Sequence, residues 1–173
     1  LGDVYKRQVL VTGWVGNFAG LLEIVDNPAD ATMDPVVTDL APGAMPPLMY
    51  PETSQLADFS PWAEDHESCL MAICGYFDTT DTVFGANANY TFVGVGGTTC
   101  TVRIDADTDL VGQSIPAGQT LVTGILSQFN GFTDTCVGYQ LLPRFANDIA
   151  PGDCAGVPTQ DRSWGALKGG YGN

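Results

Sequence analysis

Residues 10–20, LVTGWVGNFAG, return at residues 121–131 as LVTGILSQFNG, with Leu, Val, Thr, Gly, Phe and Gly at six of eleven equivalent places and a constant offset of 111. Self-similarity at a fixed offset marks one structural unit used twice. The period here is the size of a domain, so the chain is expected to hold pieces of two related β-domains rather than a single fold.

Composition agrees with that expectation. The 173 residues are 45% hydrophobic and 15% charged and include 21 Gly and 11 Pro, enough apolar material for a core and enough breakers for a turn-rich all-β protein. The longest apolar stretches fall far short of the roughly 20 residues of a membrane-spanning helix, so no membrane span is expected. Residues 3–8, DVYKRQ, resemble the translated end of a transposon used to prepare sequencing libraries, and residues 1–8 are set aside from the fold on that ground. Without Asp3, Lys6 and Arg7 the balance is four basic against 19 acidic residues, a net charge of −15 in place of −14.

The charges are also unevenly spread. Between Gln8 and Val102 there is no Lys or Arg, while twelve Asp and Glu occur. Nucleic-acid affinity rests on cations set against phosphates, so no nucleic-acid partner is expected. The acidic stretches read as a solvated surface.

Five Cys, at 69, 74, 100, 136 and 154, form no CxxC pair and have only His66 as a potential co-ligand. A structural zinc site is therefore not expected. Cys69 and Cys74 are an odd number of residues apart along one strand, on opposite faces, which argues against a bridge between them. Cys100 with Cys74 and Cys136 with Cys154 are left open as pairings, and the odd count leaves at least one thiol.

Along the chain, residues 9–15 alternate around a Gly and are followed, after a turn at 17–20, by residues 21–25: a hairpin is expected. Residues 26–47 read as an irregular connection with one edge strand around Val36 and Val37. Ser60 followed by Pro61 is a helix start, with Ser as N-cap and Pro at the first helical position. Strands are then expected at 70–77, 89–93, 100–104, 119–129 and 138–145, with a turn or one helical turn at 105–115. Five strands in about 80 residues, the third and fourth joined by a short irregular piece, match a small closed Greek-key barrel of the oligonucleotide/oligosaccharide-binding (OB) type. On that reading residues 10–25 are the fourth and fifth strands of a preceding barrel. The expected divisions are 9–40 for this remnant, 41–66 for a linker with a short helix, 67–150 for the complete module and 151–173 for a flexible tail.

The runs ESCLMAICGYF from Glu67, NYTF from Asn89, VRIDADTDLVGQSIP from Val102, LVTGILSQFNG from Leu121 and GYQLLPRFANDI ending at Ile149 together resemble the OB-like tandem β-barrel modules of large secreted bacterial proteins of the Bacteroidetes type. The leading VTGWVGNFAGLLEI resembles the closing hairpin of a first such module, and SWGALKGGY at residues 163–171 resembles a short tail seen at the end of some secreted bacterial proteins. The resemblance implies an extracellular or cell-surface location, other domains of the same polypeptide as partners, and a non-catalytic accessory role as a spacer or weak carbohydrate- or protein-binding unit. The competing reading is a fragment of an extracellular hydrolase or nuclease whose catalytic domain lies elsewhere. The chain departs from the usual modules at Met71 and Ala72, where a basic residue is common, and at Val93-Gly94-Val95-Gly96-Gly97, where Asp-Gly is expected.

Few side chains stand out as chemistry. Asp105, Asp107 and Asp109 alternate in a turn and could converge on Ca²⁺, which takes six to eight oxygens. The Gly and distal Glu of an EF-hand-like loop are replaced by Leu110 and Pro116, so the expectation is a structural turn without a cofactor. No catalytic set is expected around His66, which stands in an acidic helix without a nucleophile motif. Arg103 and Arg144 are the cations of the barrel and, with Tyr90, the candidate ligand-binding residues. Each Arg has a carboxylate, Asp105 or Asp148, as an alternative partner, and Tyr90 shares its strand face with Phe92.

Overall fold

The computed structural model describes residues 7–30, 34–43, 46–131, 136–152 and 154. Its strands are β1 (Arg7–Thr12), β2 (Trp14–Phe18), β3 (Leu21–Val25), β4 (Val36–Pro42), β5 (Leu70–Asp78), β6 (Ala88–Gly94), β7 (Thr99–Ile104), β8 (Thr120–Gln128), β9 (Tyr139–Leu142) and β10 (Ile149–Pro151). One short helix, α1 (Pro61–Asp65), stands ahead of β5.

β5 is where the barrel is made to close. Its first half pairs with β8, from Leu70 opposite Ile125 to Gly75 opposite Thr120, and its second half pairs with β6, from Gly75 opposite Gly94 to Asp78 opposite Thr91. The exchange of partners falls at Gly75, which faces both Thr120 and Gly94 and where a Cβ would collide with the Val93 carbonyl oxygen. β6 pairs antiparallel with β7, β7 runs parallel to β9, and β9 pairs antiparallel with β8. The circuit β5-β6-β7-β9-β8-β5 is complete: an all-β fold with a closed five-stranded barrel, as the strand pattern predicts. β10 adds to the outer edge of β8.

Alternation fills the interior. Along β6, Tyr90 and Phe92 are buried while Asn89 and Thr91 are exposed, the period of two that a half-buried strand requires. Phe77, Phe84, Tyr90 and Phe92 meet edge to face with centroids 5.1 to 6.3 Å apart, the arrangement favoured by ring quadrupoles. Met71, Ile73, Val102, Ile104, Leu110, Val122, Leu126 and Leu141 complete the core. Leu110 belongs to the turn between β7 and β8, which is tied to the loop after β5 by backbone bonds from Phe84 N to Gln113 O and from Gly112 N to Phe84 O.

The segment ahead of β5 belongs to the barrel rather than spacing it. Ser60 caps α1 by accepting from Ala63 N at 3.3 Å, with Pro61 at the first helical position as its sequence predicts. Leu56 and Ala63 are buried in the common core, and Tyr139 Oη donates to Glu64 Oε2 at 2.6 Å, joining α1 to β9.

The leading strands depart from expectation in one respect. The run 9–15 is not one strand of a hairpin: it breaks at Gly13, β1 pairs with β4, and only β2 pairs with β3. The break follows from residue 13 being a Gly packed against the Ile24 side chain, which leaves no room for a side chain there. The edge strand expected near Val36 is β4. The hairpin β2–β3 turns through Ala19 and Gly20, both at positive φ (53° and 100°), as a two-residue hairpin turn demands. β1 begins at Arg7, so two residues of the segment set aside on sequence grounds are in a strand, while residues 1–6 lie outside the described residues.

The disulfide corrects both pairings left open by the sequence. Cys74 on β5 is bonded to Cys154, with Cα atoms 5.7 Å apart. Topology is the reason: β5 and β10 flank the same strand, β8, with Cys74 opposite Leu121 and Ala150 opposite Leu121 from the other side. The chain leaving β10 thus returns to β5. Cys69, Cys100 and Cys136 are thiols.

Candidate functional site

Tyr90 lies in the core, 5% exposed. Its hydroxyl accepts from Gly85 N at 2.7 Å and donates to the Val83 carbonyl at 3.5 Å, so it organises the loop after β5 and presents no stacking face. Arg103 is on the outer face of β7, where its guanidinium donates to Asn89 Oδ1 at 3.1 Å and to the Asn87 side-chain and backbone oxygens. Its partners are thus Asn89 of β6 and Asn87 just ahead of it, not Asp105. Arg144 does take the predicted carboxylate: Nε and Nη2 donate to the two oxygens of Asp148, each at 2.9 Å. Asp148 is 4% exposed and also accepts from Arg144 N, a bidentate geometry that locks the turn between β9 and β10. The structure thus spreads the three candidate ligand residues over separate places.

The carboxylates of the 105–109 turn are similarly divided. Asp105 Oδ1 accepts from Ala106 N at 2.9 Å, within its own turn. Asp109 Oδ1 accepts from Ala146 N at 2.6 Å, 37 positions away, and so ties the turn after β7 to the one before β10. Among the described residues no group of three His, Cys, Asp or Glu is arranged to hold a metal ion. His66 Nδ1 donates to the Trp62 carbonyl at 2.7 Å, and the ring stacks on that of Trp62 at 4.1 Å. Burial pushes the Cys100 thiol up to about 12, far from the thiolate that nucleophilic chemistry uses.

A concave surface does exist, at a place the sequence did not single out. A groove of about 630 Å³ runs beside the β5–β6 junction, lined by Gly75, Tyr76, residues 93–95, Gly97 and residues 117–119. Tyr76 directly follows Gly75 and is 48% exposed, because Phe77 points inward and its neighbour along the strand must point outward. The walls are held by Val95 N donating to the Cys74 carbonyl at 3.1 Å and Gly152 N donating to Gln119 O at 2.7 Å, and Gln119 Nε2 donates to Cys74 Sγ at 3.5 Å. Gly97 has φ +80° and open space above its Cα, while the N–H groups of Gly94, Val95 and Gly97 are engaged by the Thr98, Cys74 and Gly94 carbonyls. An exposed ring beside backbone free of side chains offers a surface on which a flat ligand can lie. The available signal was the YF pair after Gly75: alternation places one ring in the core and the other outside.

No family model, curated protein or solved structure matches the chain. Among the described residues no helix is long and apolar enough to cross a membrane.

Proposed function

We propose that the chain is a non-catalytic accessory module of a secreted multidomain protein, and that its barrel binds an uncharged polysaccharide in the groove beside Tyr76. The observation that carries this reading is an aromatic ring left half exposed, in a barrel that buries Phe77, Phe84, Tyr90 and Phe92, at the edge of a groove floored by glycine backbone. The strand circuit, with its first strand shared between two neighbours and its parallel third and fifth strands, supports the OB-like reading, and barrels of that type hold oligosaccharides as well as oligonucleotides. Charge selects between those ligands: a net charge of −14 repels phosphates, whereas neutral sugars carry no such penalty.

Affinity electrophoresis and titration calorimetry against a panel of neutral glucans, xylans and mannans test the proposal. At least one polymer should be retained, and Tyr76→Ala should weaken its binding by about tenfold, as loss of an aromatic contact of about 1.4 kcal/mol does. Arg103→Ala should change it little. Absence of binding across the panel, or binding indifferent to Tyr76→Ala, would refute the site.

A further inference from the structure

The leading strands repeat the closing part of the barrel in pairing as well as in sequence. Trp14 faces Val25 as Ile125 faces Leu142, Val15 faces Ile24 as Leu126 faces Leu141, and Asn17 faces Leu22 as Gln128 faces Tyr139. The hairpin β2–β3 is thus the hairpin β8–β9 in the same register, with a shorter turn. β1 continues the correspondence, since Leu10 and Val11 pair with β4 where Leu121 and Val122 pair with β10. The closing strands share a motif too: residues 39–43 read DLAPG and residues 148–152 read DIAPG. Register slips there, Val11 facing Val37 rather than Leu40, past a bulge between Gln8 and Val9.

Burial is what differs. Leu126 and Leu141 are 0% exposed, in one core with Ile73, Phe92 and Val102. Their counterparts Val15 and Ile24 are 74% and 49% exposed, and Leu22, in the place of buried Tyr139, is 62% exposed. The edges differ in the same way. β8 takes β5 along Thr120 to Ile125, and β9 takes β7 at Gln140 and Leu141; the corresponding edges, residues 9–14 and 23–24, carry no strand among the described residues. An apolar face with two open strand edges is half of a sheet interface.

We infer that residues 9–42 are the closing half of a second barrel, and that the face of Val11, Val15, Leu22 and Ile24 docks a three-stranded antiparallel meander patterned like β5–β7, carried by the same polypeptide ahead of β1. The occupant follows from the repeat: β5–β7 are the strands that cover Leu126 and Leu141, and they enter β8 from its N-terminal side. Phe18 and Phe129 hold equivalent positions in the two units and meet at 6.0 Å, while Asn130 N donates to the Ala19 carbonyl, so the two units touch through the ends of matching strands. The inference goes beyond the carbohydrate reading and does not depend on it.

The experiment supplies the occupant. Residues 67–119 are fused directly ahead of residue 9 of the full chain, which reproduces the spacing between β7 and β8, and amide hydrogen exchange is read by mass spectrometry across residues 9–25. Protection should rise on the order of a hundredfold over the unfused chain, and Val15→Asp should abolish that gain without altering exchange in β5–β9. Exchange that stays fast in the fusion overturns the inference. Sedimentation velocity on the unfused chain provides a second test: it should show a monomer, and a dimer dispersed by Val15→Asp would make a second copy the occupant and overturn the choice made here.

Discussion

Glu67 stands between α1 and β5 with one carboxylate oxygen, Oε1, buried and without a hydrogen-bond partner among the described residues. Burial, and next the charge of Glu64, raise its carboxyl above the ordinary carboxylate range. The sign follows from linkage: the folded state holds the proton more tightly than the unfolded state does, so this group's contribution is most favourable below the ordinary carboxylate value and is lost as pH rises through the raised one. Glu67→Gln should therefore raise the melting temperature at pH 7, with the gain shrinking as pH falls into the carboxylate range. A variant that melts lower than the parent at pH 7 would show that Oε1 has a partner worth more than its desolvation.

At the scale of elements, the bridge between Cys74 and Cys154 joins β5 to the chain leaving β10 across a separation of 80 residues. β10 is only three residues long, and a pairing that short is weak on its own. The chain-entropy account assigns closure of a loop of this length about 4 kcal/mol, most of it felt by the unfolded state. The double variant Cys74→Ser, Cys154→Ser, like reduction of the parent, should lower the unfolding free energy by about that amount in a denaturant titration. Gln119, which lines the Tyr76 groove, donates to Cys74 Sγ at 3.5 Å, so reduction should also weaken the proposed glycan binding. Equal stability of the oxidised and reduced chains would mean that the β10 end is held by its strand pairing alone.

For the molecule as a whole, burial is concentrated from Met49 to Cys154 and sparse ahead of it. Leu56 and Ala63 share the barrel core, whereas Val9, Leu10, Trp14, Val36, Val37 and Leu40 remain exposed. Local stability tracks such contacts. A protease of broad specificity is required, because no Lys or Arg occurs between Gln8 and Val102. Its first cuts should fall within residues 26–47 and leave a resistant fragment running from about Met49 to Cys154. Early cleavage inside β8 would contradict a barrel that closes through that strand.

How much of this was legible in the chain depends on the range of the interaction. The strands of the barrel and the Ser60-Pro61 helix start are written in neighbouring residues, since alternation, capping and turn chemistry act over two to five positions. The burial of Tyr90 beside Phe92 and the exposure of Tyr76 beside Phe77 follow from that same alternation, whereas the groove beside Tyr76 is formed by residues from three separate stretches of the chain. Nor does local pattern say that Cys74 meets Cys154, that Asp109 caps a turn 37 residues on, or that Arg103 turns to Asn87 and Asn89. Those pairings are set by which strands lie side by side, and strand order is the outcome of closing one core over residues far apart in the chain. Sequence alone determined that this protein is built of β-strands and that residues 10–20 resemble residues 121–131; tertiary structure decided which thiols pair, which charges are neutralised and where a groove opens beside an exposed ring, because each of these depends on distances that only the closed barrel defines.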